Sequence, residues 1–158
     1  MRQARGLLEF ACQVYTKQNA EGRVFVHEHP LSASSWNEAP IQELLKQPGV
    51  LKVNLDMCRF KLTSKGPDGV VGLVMKPTSL LTNSVVVSEH LSRRCLGDHT
   101  HVRLIGGKRA TEAAIYSPAF CEAVVEAYKM HLISQGKLKK KKEQSRTKQE
   151  KTMGMMKK

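Results

Sequence analysis

Leu7, Leu8, Ala11, Val14, Tyr15 and Gln18 recur at helical spacing and Gly22 closes the stretch, so residues 3–19 read as an amphipathic helix. Val24, Phe25 and Val26 form a short apolar run, and Pro30 has no amide hydrogen for a ladder. A strand over residues 23–28 follows, with pairing expected to finish near His29. Pro40 opens a short helix with Ile41, Leu44 and Leu45 on its apolar face, closed by Pro48 and Gly49. Leu51, Val53, Leu55 and Met57 then alternate with Lys52, Asn54, Asp56 and Cys58, the period of a half-buried strand. Lys65, Gly66, Pro67, Asp68 and Gly69 make a turn, and the apolar stretch 70–75 returns as a strand, which predicts a hairpin. Lys76, Pro77 and Thr78 break that strand, and Leu80 with Leu81 forms a further short one. Asn83 or Ser84 caps a helix running to about Cys95, with Gly97 just beyond. Residues 101–105 alternate again and end at Gly106 and Gly107. Ser117 and Pro118 start the last helix, where Phe120, Cys121, Val124, Val125, Tyr128 and Leu132 share a face as far as Gly136.

The order α-β-α-β-β-α-β-α implies an α/β domain with a mixed parallel/antiparallel sheet and flanking helices. At 158 residues the chain holds one such domain, over residues 1–136, and a tail, 137–158. Charge sharpens that boundary. From Lys137 onward ten Lys/Arg against two Glu give +8 of the total +12, leaving +4 for residues 1–136. A run containing Lys139, Lys140, Lys141 and Lys142 cannot bury itself and is expected to be disordered. It reads as a phosphate-binding arm for DNA or RNA, as a nuclear-import signal, or as a plain solubilising tail. Cys12, Cys58, Cys95 and Cys121 lie far apart without a Cys-x-x-Cys pair, which excludes a secreted disulfide framework. No apolar stretch approaches the ~20 residues of a membrane span, and Glu9 interrupts the first apolar run too early for a signal peptide. An intracellular, reducing compartment is the expectation.

Several constellations could carry chemistry. Glu28 stands between His27 and His29 at the predicted carboxyl end of a strand, where open α/β sheets bind ligands. If the strand persists, the two histidines share a face opposite Glu28, and the alternative is a surface loop with incidental charges. Cys95, His99 and His101, with Cys58 or Cys121 as a fourth donor, offer the N/S set that zinc takes; exposed histidines beside a buried thiol are the other account. Cys58 becomes a nucleophile only if a neighbouring base or cation lowers its pKa. Gly106 and Gly107 before Lys108 and Arg109 form either a phosphate cradle or a turn, and Lys76 and Thr78 either contact phosphate or end a strand. Trp36, the only tryptophan, is a platform for a base or a packing residue.

Taken in order, Glu28-His29-Pro30, Met57-Cys58-Arg59-Phe60, Lys76-Pro77-Thr78, Thr82-Asn83 and Cys95 to His101 form a series. Over about residues 22–128 that series resembles the second half of cytosine-5 DNA methyltransferase-like domains of the phage type. It is also similar to domains of retroelement-like polyproteins in protists. The resemblance implies a truncated Rossmann-like methyltransferase fold, with Glu28 at the position that grips the target cytosine. A carboxylate there accepts hydrogen bonds from the amino group of an extruded base. His29 replaces the usual Asn. The Gly-rich loop for S-adenosylmethionine and the Pro-Cys nucleophile, both expected upstream of residue 23, are missing. The expectation is therefore a degenerate, inactive fragment with a nucleic-acid-related role, taking S-adenosylmethionine only if an N-terminal partner segment or chain supplies that half. A basic nucleic-acid-binding or interaction module without catalysis is the alternative, and a metal enzyme built on His27, Glu28 and His99 a third.

Overall fold

The computed structural model describes residues 2–67, 69–102 and 115–139. Its centre is a three-stranded antiparallel sheet in the order β1-β5-β2, from β1 (Val26–Pro30), β5 (Pro77–Thr82) and β2 (Leu51–Asp56). The middle strand is the one whose pattern reads most weakly. Thr78, Ser79, Leu80, Leu81 and Thr82 are all buried, Leu80 in one apolar cluster and Leu81 in the other. Burial on both faces erases the alternation that marks a half-buried strand. Its hydroxyls are satisfied internally: Ser79 donates to Asn54 Oδ1 at 2.7 Å and Thr82 to the Phe25 carbonyl at 2.7 Å.

Helices cover both faces. On one side α1 (Arg2–Ala20) and α2 (Ala39–Leu45) bring Cys12, Ile41 and Leu44 onto Phe25, Trp36, Val50 and Leu81. On the other, α3 (Val85–Leu91) and α4 (Pro118–Ser134) bring Val87, Leu91, Phe120, Ala123 and Ala127 onto Leu55, Met57, Phe60, Leu62, Val74 and Leu80. Both helix starts behave as their sequences require. Ser84 accepts from the Val87 amide and Ser117 from the Phe120 amide, with Pro118 at the first helical position.

Four expectations change. The paired ladders among the described residues are all antiparallel, and the one parallel contact is an isolated bridge between Leu73 and His101. A parallel, Rossmann-like sheet is therefore not what these residues form. The hairpin pairs β4 (Val71–Leu73) with β3 (Thr63–Lys65) rather than with the 51–56 strand, which ends in a 3₁₀ turn, Met57–Phe60. Helix α3 stops at Leu91, short of Cys95, because the buried Asp56 carboxylate binds both Arg94 Nε and the Cys95 amide at 2.8 Å and holds that stretch extended. Finally, β1 begins only at Val26, since the Phe25 amide is taken by Asn83 Oδ1, and its pairing runs through Pro30. Pro30 is tolerated because β1 is an edge strand. Only the first two residues of the predicted 101–105 strand lie among the described residues.

Candidate metal centre

The extended stretch after α3 brings Cys95, His99 and His101 against Cys58, which sits in the 3₁₀ turn beneath. The four donor atoms all lie within 4.8 Å of one another. Cys95 Sγ is 3.8 Å from His99 Nε2 and 3.5 Å from His101 Nε2, and the two imidazole rings meet edge-on at 4.6 Å. Two sulfurs and two ring nitrogens converge on one point, so the cluster could bind a metal ion.

Neighbouring groups hold this geometry. Asp98 Oδ1 accepts from His99 Nδ1 at 2.7 Å, which turns Nε2 toward the cluster. That hydrogen bond, with the charge of Arg59 3.6 Å away, holds the Asp98 carboxyl below the usual carboxylate range. The Gly97 amide donates to Cys95 Sγ at 3.4 Å. Gly72 has nothing but hydrogen on its Cα because a Cβ there would lie 2.6 Å from Val102 Cγ2; this close approach lets the Val102 amide reach the Leu73 carbonyl at 2.8 Å. Without metal, burial and the adjacent Cys95 thiol push the Cys58 thiol up to about 11.

Cys58 is thus the fourth member of the cluster. Cys121, the other option, is exposed on α4 outside the cluster. Cys58 is not on the polar face of a strand, and a buried thiol with a raised pKa is a poor free nucleophile. Periodicity and ligand spacing do not point to Asp56 or Asp98, although both hold the cluster's surroundings in place. Asp98 had a readable cue, a carboxylate adjoining a candidate ligand, whereas Asp56 acts across 39 residues.

The other candidates are scattered. Glu28 faces Leu80 in the middle of its ladder rather than at a strand end, and its Oε2 accepts from the Tyr116 hydroxyl. Burial and that carboxylate raise the Tyr116 pKa. His27 and His29 do share the opposite face, bonded to Tyr15 and Ser35 beside a cavity of about 700 Å³ under α1. Trp36 packs rather than offering a platform: it is 4% exposed, its Nε1 donates to the Pro30 carbonyl at 2.7 Å, and Lys52 Nζ lies 4.2 Å from its ring centre. Thr78 is fully buried in β5 and has no access to a phosphate, while Lys76 stands 5.6 Å from the Tyr116 ring. Lys139 is exposed; Lys108, Arg109, Lys140, Lys141 and Lys142 lie outside the described residues. Among the described residues no helix is long and apolar enough to cross a membrane. No family model, curated protein or solved structure matches this chain.

Proposed function

We propose that this chain is a zinc-stabilised basic module that binds nucleic acid through phosphate contacts and performs no catalysis of its own. The observation that carries the reading is the convergence of Cys58, Cys95, His99 and His101. Around a tetrahedral zinc, with bonds of about 2.3 Å to sulfur and 2.0–2.1 Å to nitrogen, neighbouring donors stand roughly 3.3–3.8 Å apart. The Cys95–His101 edge of 3.5 Å has that length, the Cys95–His99 edge of 3.8 Å stands at its upper end, and all four donors lie within 4.8 Å of one another. Four protein donors fill the coordination shell and leave no open position for substrate, the arrangement of a structural rather than a hydrolytic site. The +12 charge, most of it from residue 137 onward, supplies the phosphate affinity.

Two measurements test the reading. Zinc titrated into the reduced, metal-free chain should bind one ion per chain, and Cys95→Ser should remove that binding. Single-stranded and duplex oligonucleotides should bind with a steep salt dependence that disappears when residues 137–158 are deleted, while Glu28→Ala leaves affinity unchanged. Retention of full affinity by the tail-deleted chain, or methyl transfer from S-adenosylmethionine to DNA by the purified chain, would refute it.

A further inference from the structure

We infer that the metal centre is redox-sensitive: hydrogen peroxide converts Cys58 and Cys95 to a disulfide and expels the zinc. This rests on the zinc reading just given and concerns how that site is regulated. The two sulfurs are close enough to belong to one ligand set, and each is presented differently. Cys58 is 4% exposed, in a turn wedged between Met57 and Phe60, both core residues. Cys95 is partly exposed, on a stretch without regular structure between α3 and His101. One sulfur is therefore reachable by a small oxidant and the other is kept in reserve beneath it, the pairing of attacked and resolving thiols. Coordination to zinc keeps both as thiolates, the reactive form.

The chemistry closes. The Cys95 thiolate attacks one peroxide oxygen, the O–O bond breaks, hydroxide leaves and Cys95 carries a sulfenic acid. Cys58 thiolate then attacks Cys95 Sγ, forming the S–S bond and displacing a second hydroxide. The two thiolates have given up two electrons, and the peroxide, taking protons from solvent, ends as water. A disulfide offers zinc no thiolate, so His99 and His101 alone remain and the ion departs. Cys12 is buried in the opposite cluster and Cys121 is exposed on α4, so neither competes for the internal bond.

The test uses the full-length zinc-loaded chain and its Cys121→Ser variant, which removes an exposed thiol outside the cluster. One equivalent of hydrogen peroxide is added, released zinc is followed with a chromogenic chelator, and peptides are mapped by mass. The expected result is release of one zinc per chain, a Cys58–Cys95 cross-linked peptide lacking two hydrogens, and recovery of zinc binding after dithiothreitol. Zinc retained under peroxide, or zinc released with oxygen added to sulfur in place of the cross-link, overturns the inference while leaving the zinc centre standing. A chain that takes up no zinc at all overturns both.

Discussion

Asp98 is half-exposed, pairs with Arg59 and, through the hydrogen bond it accepts from Nδ1, fixes which nitrogen of His99 faces the cluster. Replacing a carboxylate that orients a ligating imidazole weakens metal affinity by about 10–100-fold. Asp98→Ala should therefore bind zinc that much less tightly in a competition with a chelating dye, with only a small loss of stability in the metal-free chain, as for other exposed pairs. Equal affinity would mean that His99 is oriented by something else. Two other histidines respond to pH in their own right. Burial holds both His27 and His131 below the ordinary imidazole value, aided by His29 in the first case and Lys137 in the second. The unfolded chain then takes up more protons than the folded one as pH falls below about 6.5. The stability from keeping these rings neutral is complete above that pH and is lost on descending toward the lowered folded values. In the presence of chelator, the urea midpoint should drop between pH 7.5 and 5.5, and His27→Gln should flatten the slope. A midpoint that rises on acidification would reverse the assignment.

At the level of elements, the hairpin and the stretch carrying Cys95, His99 and His101 form one structural unit. Gly72 is where they touch, and Val102 is too stiff to move aside for a methyl group. Gly72→Ala should cost about 1–3 kcal/mol as an overpacking change. It should also lower zinc affinity, because His101 is bridged to the neighbouring Leu73; calorimetry with and without zinc would separate the two effects. This junction also shows what a sequence can convey. The hairpin turn is written in Gly66, Pro67 and Gly69, and the ends of α1, α2 and α4 are written in their caps and apolar spacing. The partner of β4 is not, because three-residue strands such as β3 carry too little periodicity to be seen. Similarly, three of the candidate donors are legible as a local cluster, but the choice of Cys58 over Cys121 depends on a long-range approach. The end of α3 depends on Asp56, a residue far away in the chain that competes for the backbone of Cys95.

For the molecule as a whole, the two apolar clusters decide how much the metal matters. Among the described residues, eleven buried ones lie on one face of the sheet and seven on the other. Each fully buried Leu or Phe contributes roughly 1.5–3 kcal/mol, so the sheet has a core of its own, and zinc at the proposed centre is expected to matter less than in a minimal finger. Chelation should accordingly loosen one corner. In hydrogen exchange, the amide of Val102, bonded to Leu73, should lose protection, while those of residues 78–82 keep it. Global melting on chelation would show that the centre supports the whole fold. The charge of the tail belongs to this scale too, since the range of its field in solution is set by ionic strength.

The placement of Leu80 and Leu81 on opposite sides of β5 has a mechanical consequence. Neither helical layer can peel off without disturbing the strand that the remaining layer grips, so damage on either flank is felt on the other. A lesion in α1 and a lesion in α4 should therefore add up in a single unfolding step, with no half-dismantled species between.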